Sequence, residues 1–129
     1  MVIDTSALLA ILGDEPERAQ FAEAIEADPR RLVSAVTVVE ASLVLESRYG
    51  SDAVDDLDLL LTKIDARIVS FGPSDVSATR AAYQRFGKGR HAAALNFGDC
   101  FSYALSMETG EALLFKGADF SQTDLRRVL

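Results

Sequence analysis

The chain has 129 residues, with 20 Asp and Glu against 13 Lys and Arg, for a net charge of −7 at pH 7. That length suits one domain, residues 1–129, with a core that needs no staple, and 49% apolar with 26% charged residues is ordinary for a folded protein. One Cys excludes an internal disulfide, one His excludes a multi-His zinc site, and no apolar run is long enough to span a membrane.

The elements alternate along the chain. Residues 1–4 read as a short buried strand ending in Asp4, and Thr5 to Leu12 as a helix stopped at Gly13. Residues 15–27 carry Ala19, Phe21, Ala22 and Ile25 at helical spacing, with Pro29 beyond the end. Leu32 to Ala35 reads as a second strand, and Thr37 to Tyr49 as a helix for which Gly50 suits the C-terminal cap. Ser51 to Ile64 is amphipathic, with Val54, Leu57, Leu60, Leu61 and Ile64 on one face. A third strand is expected at Ile68 to Phe71. After Gly72-Pro73 comes a helix to Phe86, broken by Gly87-Lys88-Gly89. Asp99 to Thr109 is the next helix, Ala112 to Phe115 the fourth strand, and residues 116–129 a loop with at most one more short strand. No basic-then-apolar leader pattern opens the chain, so a reducing cytoplasmic setting is expected.

This order predicts an α/β fold. Its centre is a twisted, mostly parallel sheet of four to five short strands, with helices on both faces. Ligands in such sheets sit beyond the carboxyl ends of the strands. Four acids fall near such ends. Asp4 closes the first strand, and Glu40 lies one turn into the helix after the second. Asp99 opens the helix before the fourth strand, and Asp119 follows that strand. Carboxylates crowded together repel unless a cation joins them, and oxygen-only donors suit Mg²⁺ or Mn²⁺. Phosphodiester hydrolysis is the natural reaction of such a site.

Each acid also has an ordinary explanation. Thr37-Val38-Val39-Glu40 fits a capping box, Asp4 and Asp99 suit helix starts, and Asp119 suits a turn. Val38, Val39, Ala41 and Leu43 around Glu40, and Phe97, Cys100, Phe101 and Tyr103 around Asp99, point instead to acids set among buried apolar residues.

With these residues in view, the chain resembles PIN-domain ribonucleases and, among them, the VapC-type toxins of bacterial toxin–antitoxin pairs. The resemblance runs over nearly the whole chain. It rests on Val2-Ile3-Asp4-Thr5-Ser6-Ala7, on Ser34-Ala35-Val36-Thr37-Val38-Val39-Glu40, on Leu95-Asn96-Phe97-Gly98-Asp99-Cys100-Phe101-Ser102-Tyr103-Ala104, and on Leu114-Phe115-Lys116-Gly117-Ala118-Asp119-Phe120-Ser121-Gln122-Thr123-Asp124. It implies a PIN-like fold and a catalytic metal site of Asp4, Glu40, Asp99 and Asp119. Thr5, Ser6, Asn96 and Asp124 would be the polar groups that orient those carboxylates. Ala118 departs from the pattern, standing where relatives often carry a polar residue. The implied activity is that of a Mg²⁺- or Mn²⁺-dependent endoribonuclease. It would cut a transfer or ribosomal RNA at few sites, leave 5′-phosphates and inhibit translation. The implied partners are a second copy of the chain and a VapB-type antitoxin, with DNA reached only through that antitoxin.

The acidic total hides an asymmetry. Residues 76–98 hold no Asp or Glu but carry Arg80, Arg85, Lys88, Arg90 and His91. This stretch of +4 leads into Asp99 and is expected to guide an RNA backbone; a solvated basic helix face is the ordinary alternative. Tyr83 and Phe86 could stack on bases, though their spacing suits a core, and Cys100 reads as a small buried side chain. Leu8, Leu9, Ile11, Leu12, Leu43, Val44, Leu57 and Leu60 exceed the evident needs of one core, leaving some for a homodimer or a partner helix. Two other readings stand beside the ribonuclease. One is an acidic PIN-like module that only binds a basic partner. The other is a phosphatase using Asp4 as nucleophile, disfavoured because Ser6 replaces the second acid two residues later.

Overall fold

A computed structural model describes residues 1–129. The elements in order are β1 (Val2–Ile3), α1 (Thr5–Leu12), α2 (Arg18–Ala27), β2 (Leu32–Ser34), α3 (Ala35–Tyr49), α4 (Asp52–Lys63), β3 (Arg67–Val69), α5 (Val76–Phe86), α6 (Phe97–Thr109) and β4 (Leu113–Leu114). Single 3₁₀ turns occupy Pro73–Asp75 and Asp119–Gln122. The four strands form one parallel sheet in the order β3-β2-β1-β4. No fifth strand forms; residue Arg127 makes one isolated parallel bridge to Leu113.

Alternation along these short strands builds two cores. Ile3, Val33 and Leu114 point into one, with Leu8 and Ile11 of α1, Phe21 and Ile25 of α2, Leu45 of α3 and Leu57 of α4. Their neighbours Val2, Leu32 and Leu113 point into the other, with Phe86 of α5, Cys100 and Tyr103 of α6, and Phe120 and Leu125. A parallel sheet covered on both faces needs apolar residues on both sides of its strands, as found here in β1, β2 and β4. Leu57 is fully buried in the first core. Leu57→Ala is expected to cost about 2–5 kcal/mol, seen as a lower urea midpoint at unchanged slope.

Of the boundaries that differ from the sequence expectation, three have plain local reasons. α3 starts at Ala35 because Ser34, not Thr37, is its cap, accepting a hydrogen bond from the Val36 N–H. Thr37 is therefore not part of a capping box with Glu40. It lies buried inside the helix, its hydroxyl 3.3 Å from the buried Ser102 hydroxyl of α6. α6 starts at Phe97 because Asn96 caps it. β3 is an edge strand that ends at Val69, with Arg67 and Ile68 exposed, so Ser70 and Phe71 leave the sheet. Of the apolar residues set aside for a partner, Leu8, Ile11 and Leu57 are buried and Leu9, Leu12, Val44 and Leu60 half-buried; Leu43 alone is exposed. No helix is long and apolar enough to cross a membrane.

Candidate active site

The sheet changes winding direction between β1 and β4. β2 and β3 lie on one side of β1, and β4 on the other. A crevice opens beyond the carboxyl ends of strands at such a point. Asp4 follows β1 directly, its backbone N–H donating to the Leu114 carbonyl at 3.0 Å. Asp119 follows β4 on the exposed turn. Both flank the switch point.

Asp4 is also the N-cap of α1, so its ordinary role and its place at the crevice coexist. Its carboxylate, buried to 3% exposure, accepts at Oδ2 from the Ser6 N–H (2.9 Å) and from the Ser6 hydroxyl (2.6 Å). The Ser6 oxygen in turn accepts from the Lys116 N–H at 3.0 Å, tying the chain after β4 to the same carboxylate. Thr5 donates its hydroxyl to Glu40 Oε2 at 2.6 Å. Glu40 is only half-buried, and its neighbours Val39 and Leu43 are exposed rather than packed around it.

Glu40 lies over Gly98. A Cβ placed on Gly98 would fall 2.3 Å from both Glu40 carboxylate oxygens, a distance no side chain tolerates. Gly98 thus makes room on α6 for an acid carried by α3, a role its sequence position does not announce. The buried Thr37–Ser102 contact joins the same two helices beneath. The capping box of the site is Asn96–Asp99. The Asp99 N–H donates to Asn96 Oδ1, and the Asn96 N–H donates to Asp99 Oδ2, each at 2.9 Å.

Asp99 registers the whole group. Its carboxyl is pushed up to about 6, first by burial and then by the negative charges of Asp4, Asp119 and Glu40; the Asn96 N–H opposes the rise. The four acids named from sequence therefore share one electric field. They do not yet form a coordination shell: no three His, Cys, Asp or Glu side chains stand at metal-binding spacing. Their donors are oxygens alone, a set whose chemistry suits a hard divalent cation.

Asp124 stands apart from them. Its Oδ1 accepts from the Tyr103 hydroxyl at 2.6 Å and its Oδ2 pairs with Arg85 at 2.8 Å. Burial and this bond push the Tyr103 hydroxyl up to about 12, so it stays a donor. The expected help from Asp124 in orienting the acids is thus replaced by a clamp of the last segment onto α5 and α6.

Arg80, Arg85, Lys88, Arg90 and His91 all lie exposed at the surface. Arg85 is engaged by Asp124. The His91 Nδ1 accepts from the Ala93 N–H at 3.0 Å and the ring meets Phe86 edge-on, so it braces its own loop. That loop is closed by hydrogen bonds between Lys88 N–H and Leu95 carbonyl and between Leu95 N–H and Phe86 carbonyl. Phe86 is buried, whereas Tyr83 is 41% exposed. Cys100 is buried as expected.

Comparison with known proteins bears on this arrangement. A family model described as PIN domain matches residues 1–125. The chain is 49% identical to Ribonuclease VapC30 of Mycobacterium tuberculosis, over 99% of this chain and 98% of that one. It is 48% identical to Ribonuclease VapC of Mycolicibacterium smegmatis, over 99% of each. The fold is similar to the crystal structure of Mycobacterium tuberculosis VapC20, a Sarcin-Ricin loop cleaving toxin. That likeness has a TM-score of 0.79 at 16% identity and covers 96% of this chain and 95% of the other. It is also similar to VapBC2 from Rickettsia felis bound to a DNA fragment from its promoter. There the TM-score is 0.74 at 9% identity, with 98% and 94% covered.

Proposed function

The chain belongs to the PIN domain family, among the VapC ribonucleases, and from that premise we propose that it is the toxin of a VapBC pair, a Mg²⁺- or Mn²⁺-dependent endoribonuclease cutting a transfer or ribosomal RNA at few positions. The observation that carries this reading is the placement of Asp4 and Asp119 at the switch point of the sheet, with Glu40 lying against Gly98, the residue before Asp99. Asp4 and Asp99 would be the principal ligands, with Glu40 and Asp119 completing the set. A cation bound there would supply Lewis acidity toward a phosphoryl oxygen and toward an attacking water.

The chain's own groups do the positioning. Ser6 holds one oxygen of Asp4, Thr5 holds one of Glu40, and the Asn96 N–H holds one of Asp99. Each carboxylate thereby keeps its other oxygen for a ligand, which is how surrounding polar groups tune a metal site. Attack of water on phosphorus, with the P–O3′ bond breaking, leaves a 5′-phosphate and a 3′-hydroxyl. A route through the ribose 2′-hydroxyl would instead leave a cyclic phosphate and would need a general base. The chain's one histidine is occupied in its loop. A phosphatase using Asp4 as nucleophile fits less well, since Ser6 stands where the second acid of such a site would be.

Cutting such RNA would inhibit translation and growth in the cytoplasm. A VapB-type antitoxin would neutralise the enzyme and carry it to DNA. Val39 and Leu43, exposed one turn apart on α3, offer an apolar stripe for a second copy.

The test is incubation of partner-free protein with total transfer and ribosomal RNA, with Mg²⁺ or Mn²⁺ and with EDTA, beside Asp4→Asn. Discrete fragments with 5′-phosphates, lost with EDTA and in the variant, are expected. Absence of metal-dependent cleavage by folded protein would favour an acidic module that only binds a basic partner. A second expectation concerns metal without substrate. Mn²⁺ or Mg²⁺ should raise the melting temperature more at pH 7.5 than at pH 5, because Asp99, titrating at about 6, binds a competing proton at the lower pH. An equal shift at both values would place the ion elsewhere.

A further inference from the structure

Beside the acids, on the other side of α6, lies a groove of about 590 Å³ between α5 and α6. Phe71, Tyr83, Phe97 and Phe101 line it, together with Arg80 and Arg90. Phe97 is 76% exposed, the most exposed of the large apolar side chains. It is nevertheless held in place: its ring meets Phe101 at 4.9 Å between centroids, and Phe101 meets Phe71 at 4.9 Å, both near edge-on. Across the groove the Arg90 guanidinium lies 5.4 Å from the centre of the Tyr83 ring. The Tyr83 hydroxyl donates to the Lys88 carbonyl, bracing the loop that carries Arg90.

The groove is contiguous with the cleavage centre through the backbone. Phe97, Gly98, Asp99 and Cys100 are consecutive. Phe97 and Cys100 line the groove, while Gly98 lies beneath Glu40 and Asp99 senses the other three acids. Successive residues on a helix point about 100° apart, so one turn of α6 serves both places. The charge matches an anionic ligand with flat apolar parts. The groove carries two arginines and no acid, in a chain of net charge −7. Exposed aromatic faces beside guanidinium groups are the elements that bind unpaired nucleotides.

We propose that this groove seats an unpaired base of the RNA next to the cleaved phosphate, stacked on Phe97, with Arg80 and Arg90 against the neighbouring phosphates. The assignment rests on the ribonuclease reading and deepens it: the enzyme requires a splayed base beside its cut, and the groove sets which bases are accepted. It also revises the basic set. Arg80 and Arg90 face the groove, while Arg85, Lys88 and His91 do not line it.

The chain has no Trp, so Phe97→Trp places a single fluorescent indole at the stacking position. In EDTA, single-stranded octaribonucleotides of A, C, G or U are expected to quench that indole, and duplexes of equal length are not. Phe97→Leu, which keeps an apolar side chain but no ring face, should weaken binding of labelled octamers about tenfold. Replacing both Arg80 and Arg90 with Ala should lower the log–log salt slope by about 1.4, at roughly 0.7 for each phosphate no longer neutralised. In cleavage, Phe97→Leu should raise KM and relax the base preference beside the cut, with unchanged urea unfolding. If wild-type protein cuts RNA while Phe97→Leu keeps the same KM and base preference, the groove assignment is overturned and the ribonuclease reading survives. If single strands quench the indole of Phe97→Trp but wild-type protein cuts nothing with Mg²⁺ or Mn²⁺, the groove stands and the ribonuclease reading falls. A dimer dissolved by Phe97→Leu, with the indole of Phe97→Trp blind to RNA, gives the face to a second copy and overturns the proposal.

Discussion

Asp99→Asn is expected to lower RNA cleavage by more than about 100-fold and to make the metal-free protein more stable. Loss of a group that merely orients a ligand costs a metal site about 10–100-fold, and loss of a ligand should exceed that. The gain in stability follows from linkage. The Asp99 carboxyl titrates at about 6 in the folded protein against an ordinary value of 3.8. Between those values the folded state holds a proton that the unfolded chain has released. This group's contribution to stability therefore falls as pH rises from about 4 to 6, and the full cost is present above 6. Asn removes the charge and still offers an oxygen to the Asn96 N–H. The gain at pH 7.5 is about 1 kcal/mol, because solvent around this half-buried carboxyl screens much of the effect. At pH 4.5 the difference from wild type should nearly vanish. Urea unfolding at the two pH values checks this, and a variant no more stable at pH 7.5 would mean that neither burial nor the neighbouring acids disfavour the Asp99 charge. The melting-temperature rise with Mn²⁺ should shrink in the same variant.

Gly98→Ala is the sharper structural test, since one methyl group is added and no functional group is lost. The new Cβ would fall 2.3 Å from both Glu40 oxygens. Glu40 must then swing away, abandoning the hydroxyl of Thr5. Cleavage should fall about 10–100-fold, the scale of a displaced ligand environment. Gly98 lies in the first turn of α6, where Ala is the better helix former by up to about 1 kcal/mol. Stability should therefore hold or improve while activity drops. Glu40→Ala in the same background should leave stability unchanged and not return activity. Full activity in Gly98→Ala would show that Glu40 is dispensable where it stands.

Much of the fold is legible because periodicity and punctuation are local. Gly13, Gly50, Gly87 and Gly110 each follow the end of a helix, at C-terminal caps that a reader of sequence can see. The parallel order follows from strands alternating with helices. Less legible is where each helix starts, because several hydroxyl and amide side chains compete for one cap. Ser34 outcompetes Thr37, and Asn96 precedes Asp99, so the capping box forms on α6 and not on α3. The acids can be named because Asp4, Asp99 and Asp119 fall at strand or helix ends and Glu40 in the second turn of α3. Their shared field becomes visible only when the sheet order places β1 beside β4. Gly98 and Ser102 give no local signal, since their partners Glu40 and Thr37 lie more than fifty residues away. Asp124 reads as a fifth acid because sequence gives nearness along the chain and not direction. Tyr103 and Arg85 claim it from two helices. Phe71 and Phe97 read as strand and core residues and instead flank an open groove.

The division of the interior into two cores has a mechanical consequence. Glu40 rides on the layer packed against one face of the sheet, Asp99 and Asp119 belong to the layer on the other, and Asp4 stands at the seam. Repulsion among these acids would act as a wedge between the two layers, and an ion gathering them would act as a clasp across the same joint. Backbone breathing at the opening turn of α6 should rise and fall with that clasp, so amide protons of residues 98–101 would exchange faster in EDTA while those of Leu8 and Leu45, deep in the opposite half, keep their pace.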